Sequence, residues 1–167
     1  MKQVFVNFAL WVDGTSYVGQ AKELVTPKIT SKTTGYTAGG MAGELKVPMA
    51  NVEAMEASGE LIGYNTEVLE KLGFVYGKVI PIDGRGAVTA EDGTVKQVRV
   101  AMRGHLTEAE PGTWKPADET SLKFKMDLTY FRLEEDGRVR VEVDIDNAIL
   151  IVGGEDQMAA VRAALGI

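Results

Sequence analysis

Residues 97–136 alternate twice between apolar and polar side chains, on either side of a loop that cannot continue a ladder. In the first half Val98, Val100, Met102 and Leu106 alternate with Arg99, Arg103 and His105. In the second, Leu122, Phe124, Met126, Leu128 and Tyr130 alternate with Lys123, Lys125, Asp127 and Thr129. A two-residue period lays one strand face on a core and leaves the other polar. Residues 108–119 between them are too rich in proline, glycine and acid to pair. Strands usually run to about five or six residues, so this pair is long. Long, two-sided strands suit an assembly in which sheets continue from one subunit to the next.

Before this pair, residues 4–12 read as a strand, Asp13-Gly14 as its turn and residues 15–21 as its return. Residues 23–34 form another extended run, with Pro27 marking it as an edge or irregular strand. Four of the nine residues 35–43 are glycine, which makes a loop rather than a core element. Residues 23–49 therefore read as a long hairpin whose tip leaves the body and, in an oligomer, serves as a docking arm. Residues 52–63 read as a strand. Asn65 or Thr66 caps a short helix over residues 67–72, stopped by Gly73. Residues 74–82 are extended; Asp83-Gly84-Arg85-Gly86 and Asp92-Gly93 read as turns. After Asp136-Gly137, Val139, Val141, Val143 and Ile145 alternate with charged residues. Residues 148–152 are an apolar run broken by Gly153-Gly154, and residues 155–165 read as a helix with Met158, Val161 and Leu165 on one stripe. The expectation is one domain over residues 1–167: mainly β, an antiparallel sandwich or barrel-like fold of eight to ten strands, with a projecting hairpin and one or two short helices.

The chemistry is sparse. The chain has 167 residues, a net charge of −6, one histidine and no cysteine. Acidity argues against generic nucleic-acid binding, which needs clustered Lys and Arg. Without cysteine there are no disulfides or thiolates, in keeping with cytoplasmic synthesis. No apolar run approaches the roughly 20 residues of a spanning helix, and the alternating N-terminus does not read as a secretion signal. His105 has no second histidine or cysteine with which to complete a metal site. Residues 144–147 and 134–137 lack the spacing and closing glutamate of a calcium loop. Gly153-Gly154 lacks the Lys and Ser/Thr of a phosphate cradle, and Glu155-Asp156 would repel an anion there. No catalytic, cofactor or metal residues are assigned, and no enzyme is expected. Trp114, in a short Pro-bounded loop, either plugs the end of the sandwich or anchors a neighbouring subunit.

An ordered set of segments resembles a known family. Asn-Phe-Ala-Leu-Trp-Val-Asp-Gly-Thr-Ser-Tyr-Val-Gly stands at residues 7–19, Leu-Val-Thr-Pro-Lys-Ile-Thr at 24–30 and Tyr-Thr-Ala-Gly-Gly-Met-Ala at 36–42. Met-Arg-Gly follows at 102–104, Glu-Pro-Gly-Thr-Trp-Lys-Pro at 110–116, Leu-Thr-Tyr at 128–130 and Val-Arg-Ala-Ala-Leu-Gly at 161–166. Their order and spacing are similar to those of the major tail tube protein of contractile phage tails, the type found in P2-like phages and R-type bacteriocins. The resemblance covers nearly the whole chain, with residues 50–65 and 74–96 matching less well. It implies hexameric rings stacked into a hollow tube inside a contractile sheath, each subunit giving a few strands to a continuous barrel around the lumen. It implies self-association, contacts with sheath, baseplate or spike and tape-measure proteins, DNA only as transient cargo, and no membrane insertion. The particle would be a virion or bacteriocin tail assembled in the bacterial cytoplasm. By the same likeness Tyr36, Gly39, Gly40 and Met41 become candidate subunit contacts, and Trp114 gains weight as one. Two other readings stand beside it: the tube of a bacterial secretion system, and a β-barrel protein that binds or hydrolyses a small ligand, which would require an enclosed pocket with convergent polar groups.

Overall fold

The computed structural model describes residues 2–167. Its strands are β1 (Gln3–Val12), β2 (Thr15–Ser16), β3 (Ala21–Val25), β4 (Ser31–Tyr36), β5 (Leu45–Val52), β6 (Met55–Ile62), β7 (Ile80–Ala90), β8 (Val95–Glu110), β9 (Ser121–Glu135), β10 (Arg138–Asp144), β11 (Ile149–Val152) and β12 (Glu155–Asp156). Helices α1 (Thr66–Leu69) and α2 (Ala159–Leu165) are short. The pairings among the described residues are antiparallel, as tight turns between successive strands require. Two of the Asp-Gly turns form as the sequence predicts: Asp13 and Gly14 have φ of 50° and 80°, Asp136 and Gly137 of 49° and 79°. Two successive positive φ values match the twist of a hairpin, which is why Asp-Gly suits them.

β8 and β9 are the spine. β8 pairs with β7 over Val95–Gly104 and with β9 along most of its length. β9 changes its other neighbour midway: residues 121–128 pair with β6 and residues 130–135 with β10. The main sheet runs β12-β11-β10-β9-β8-β7-β1-β2, with β6 and β3 branching from β9. Along β3-β6-β9-β8-β7-β1 the sheet curls around the core without closing, because no ladder joins β3 to β1. Leu24 of β3 nonetheless lies over Gly84 of β7, where an added Cβ would sit 3.1 Å from its Cδ2. The interior is filled by Leu10, Ile82, Met102, Leu106, Leu122 and Met126, each at most 1% exposed, with Val68 of α1 as a plug at 0%.

The fork is a β-bulge. Arg103 opposes Tyr130, and the next residue, Gly104, opposes Leu128, leaving Thr129 unpaired. One extra residue reverses which side chains face the core. Leu122, Phe124, Met126 and Leu128 point inward as the alternation predicts, but Phe131 then takes the inward place. Tyr130, expected on the apolar side, lies on the polar one, beneath the Arg103 guanidinium at 4.2 Å from its ring centroid. Gly104 permits the close approach: a Cβ there would lie 2.0 Å from the Asp127 carbonyl oxygen.

Other expectations are corrected. Residues 83–86 are not a turn but the middle of β7. Gly84 and Gly86 serve close packing, the latter leaving space for the Phe5 ring, which a Cβ would meet at 2.4 Å. The extended run of 74–82 begins only at Ile80. Glu155 and Asp156 form β12 rather than the first turn of α2, and Val161 and Leu165 stay exposed while Met158 packs on the core. The continuous run of 23–34 is broken into β3 and β4 around Pro27.

α2 is held by one ion pair. Arg162 donates to the Asp156 carboxylate and to the Ala148 carbonyl at 2.7 Å. The guanidinium, helped by the Met158 N–H, holds the Asp156 carboxyl below the usual carboxylate range. A depressed folded-state pKa stabilises above the ordinary value of about 3.9, and that contribution is lost as pH falls through the folded-state value. The protection factors of amides 159–165, measured against the intrinsic exchange rate at each pH, should therefore be high at neutral pH and fall in acid below about pH 4. Arg162→Ala should lower the protection factors at neutral pH already and remove the acid step; unchanged protection would show that α2 is held by something else.

Candidate functional site

No group of three or more His, Cys, Asp or Glu capable of holding a metal occurs among the described residues. The side chains singled out for chemistry have structural partners instead. His105 Nε2 accepts the Gly77 N–H at 3.2 Å, and its ring stacks on Tyr76. Asp144 accepts the Asn147 backbone N–H and its side-chain amide at 3.2 and 2.7 Å, closing a turn. Gly153 and Gly154, both at positive φ, turn β11 into β12. What remains chemically unfinished is surface.

The first unfinished surface is the hairpin of β4 and β5, a two-stranded sheet of its own. Every residue of β4 is exposed, as are the first five of β5. Tyr36 opposes Leu45 and Thr34 opposes Val47, so these share a face with Met49 two residues on, an apolar stripe with no cover. At the tip Met41 folds back: its N–H donates to the Ala38 carbonyl, and its Sδ accepts the Ala38 N–H, each at 3.2 Å. Gly39 has open space around it, and Gly40 has a φ of +87°. Tyr36, Gly39, Gly40 and Met41 thus all lie at the outer end of the arm, clear of the body. A lone two-stranded ribbon is at best marginally stable in water, and packing on another surface is its ordinary remedy.

The second is the edge of β1. One side pairs with β7, but on the other only Trp11 and Val12 are met, by β2. The Leu10 carbonyl accepts the Tyr17 N–H at 2.8 Å, but the outer edge of residues 3–9 has no ladder partner among the described residues, and Val4, Phe5 and Val6 on it are exposed. Such an edge is a template for another chain.

The third lies at one end of the spine. Trp114 is 80% exposed and meets Tyr64 edge-on at 6.2 Å, beside a surface cleft of 590 Å³. It does not plug the sandwich; of the two readings its loop allows, the core one is excluded. Nearby in the fold, Gly73 donates to the Leu106 carbonyl, and the segment that follows presents Phe74 and Tyr76 at 81% and 93% exposure. These two were missed as surface residues. The signal was three consecutive apolar residues bounded by Gly73 and Gly77.

The fourth is the free face of β7, β8, β9 and β10, opposite the core. Arg99 holds Asp83 through two nitrogens at 3.2 and 3.3 Å, and Arg85 reaches the same carboxylate at 3.4 Å. The Asp83 hydrogen bonds raise the Arg99 pKa further above its ordinary value. Arg132 pairs with Glu134, and the Tyr130 hydroxyl donates to Glu142 at 3.0 Å. Burial, then Glu142, pushes the Tyr130 phenol up. Lys125, farther along the same side, pairs with Glu56 at 3.2 Å.

Known proteins match the chain along nearly its whole length. The family described as Phage tail tube protein FII matches residues 2–166. The tail tube protein of Escherichia phage P2 is 33% identical over 161 residues, 95% of this chain and 94% of its own. The major tail tube protein of Serratia phage KSP20 is 34% identical over 143 residues, 85% of this chain and 82% of its own. With nearly its whole length matched, this chain belongs to the phage tail tube protein FII family.

Proposed function

We propose that this chain is the repeating, non-enzymatic wall subunit of the inner tube of a contractile tail, six copies forming a ring and rings stacking into a hollow conduit for DNA or for penetration of an envelope. The observation that carries this reading is the pair of unsatisfied elements: an arm with an uncovered apolar stripe, and a β1 edge without a partner. Joining β1 of one copy to the β11–β12 end of the sheet in the next covers the two ends of the sheet's main path. Stacking is head-to-tail, which need not terminate and yields a filament. In such a ring the core side of the sheet is already occupied, so the free face carrying Asp83, Arg99 and Arg132 is left to line the lumen. The arm, through Tyr36, Gly39, Gly40 and Met41, and the loop of Trp114 reach neighbouring copies. The outer surface meets a sheath, and the tube's ends meet baseplate or spike and tape-measure proteins. Assembly takes place in the bacterial cytoplasm before the tail joins its particle.

Electron microscopy of the purified protein, alone and with a nucleating baseplate, tests this. Rings or tubes with sixfold averages are the expected result. A species that stays monomeric at every concentration and with every nucleating baseplate overturns the reading.

A further inference from the structure

Two arginines face each other directly across β7 and β8, Arg85 opposite Arg99. Like charges directly opposite on a sheet repel, yet both lean to one carboxylate, Asp83, on the same face. Arg85 also lies over the Trp11 ring, 5.0 Å from its centroid. The remaining arginines of this face are committed as well: Arg132 to Glu134, and Arg103 to the ring of Tyr130, whose hydroxyl is held by Glu142. We infer that this face is a charge-damped wall, with Asp83 as its keystone: Arg85 and Arg99 are tied to Asp83, Arg132 to Glu134 and Arg103 to a neutral ring, so a polyanion moving past meets arginines already engaged within their own subunit. The inference rests on the proposal that this face lines the conduit.

The physical argument concerns what DNA would have to break. Affinity for a phosphate backbone comes from cations that displace condensed counterions, each contact adding about −0.9 to the slope of log K against log salt. A guanidinium already bound to a carboxylate through two nitrogens offers that exchange only after losing a charge-assisted pair. Arginines spent in this way still stiffen the wall and cross-link β7, β8 and β9, while holding nothing in transit. Removing the Asp83 charge without changing its size frees two guanidinium groups per subunit, repeated around every ring.

The test uses assembled tubes with open ends. The chain has no cysteine, so Ala101→Cys, which opposes Asp83 on β7 and Arg132 on β9, gives a single label on this face. Reaction of intact tubes with a small maleimide but not with a bulky polymer maleimide is expected. Reaction with the bulky reagent places the face outside and overturns the lumen reading, whatever the charges do. Next, short fluorescent duplex DNA is equilibrated with tubes and its retention is measured against salt. Wild-type tubes should retain little at any salt. Asp83→Asn tubes should retain roughly tenfold more at low salt, falling steeply as salt rises, while Asp83→Glu tubes should behave as wild type. Electron microscopy of the same preparations verifies that each variant still forms tubes; should Asp83→Asn not assemble, Glu134→Gln, which frees Arg132, takes its place. Equal retention by charge-removed and wild-type tubes, or strong salt-dependent retention by wild type, overturns the charge-damped wall while leaving the lumen assignment standing.

Discussion

Replacing Gly104 with alanine should destabilise the subunit by about 3 kcal/mol, the upper part of the range for overpacking substitutions. For a chain of this size that is a fall in Tm of roughly 6–12 °C. The single added carbon would sit 2.0 Å from the Asp127 carbonyl oxygen and 2.8 Å from the Leu128 Cα. Both are backbone atoms of β9, so no rotamer change relieves the clash. The bulge that leaves Thr129 unpaired must move instead, and with it the register of one half of β9 against β8. Gly137, in a turn with nothing within 4 Å of an added Cβ, is the contrasting site: alanine there meets only the cost of a positive φ, about 1–3 kcal/mol. Differential scanning calorimetry of the two variants makes the comparison. A Gly104→Ala protein that melts with wild type would show that β8 and β9 do not approach as described.

Replacing Gly39 and Gly40 together with valine should abolish tube formation and leave the melting of the body unchanged. Gly39 has no atoms nearby, so its change adds bulk and apolar surface to the tip without touching the fold. Gly40 at φ +87° is different, because a β-branched residue cannot adopt that backbone without strain. The tip is therefore reshaped while β1 and β6 to β10 keep their partners, since β4 and β5 pair only with each other. Sedimentation and electron microscopy read assembly; thermal melting reads the body. Normal tubes from the double variant would remove the arm from the list of subunit contacts. The single Gly39→Val variant separates bulk from backbone shape: tubes from it, with none from the double variant, place the requirement on the turn at Gly40.

Much of the fold was legible because two local signals carried through to the structure. Asp-Gly pairs between alternating strands leave the backbone few choices, and those at residues 13–14 and 136–137 became the turns expected. The arm was legible for the opposite reason: four glycines in nine residues cannot build a core. Glycine misled where its role was packing. At Gly84 and Gly86 it makes room for Leu24 and Phe5, and nothing in Asp-Gly-Arg-Gly distinguishes that use from a turn. The exchange of Tyr130 for Phe131 on the core side was also hidden. A bulge depends on what the partner strand offers, and the partner here is a glycine 25 positions upstream of Thr129. Tyr36, Met41 and Trp114 were placed on the surface or at a loop tip, but which copy they meet depends on geometry beyond a single chain. The alternation also hid the order on the polar face, since the pairing of Asp83 with Arg99 requires the register of β7 on β8.

The forked strand has a mechanical consequence. The segment of β9 beside β6 belongs to the layer from which the arm springs, and the segment beside β10 belongs to the face that carries the arginines. A pull on the arm is therefore delivered to the opposite layer along one covalent strand, with Thr129 and Gly104 as the place where slack can be taken up. In the tube proposed above, a neighbour that seats the arm would thereby tension the arginine-bearing face of the subunit that owns it.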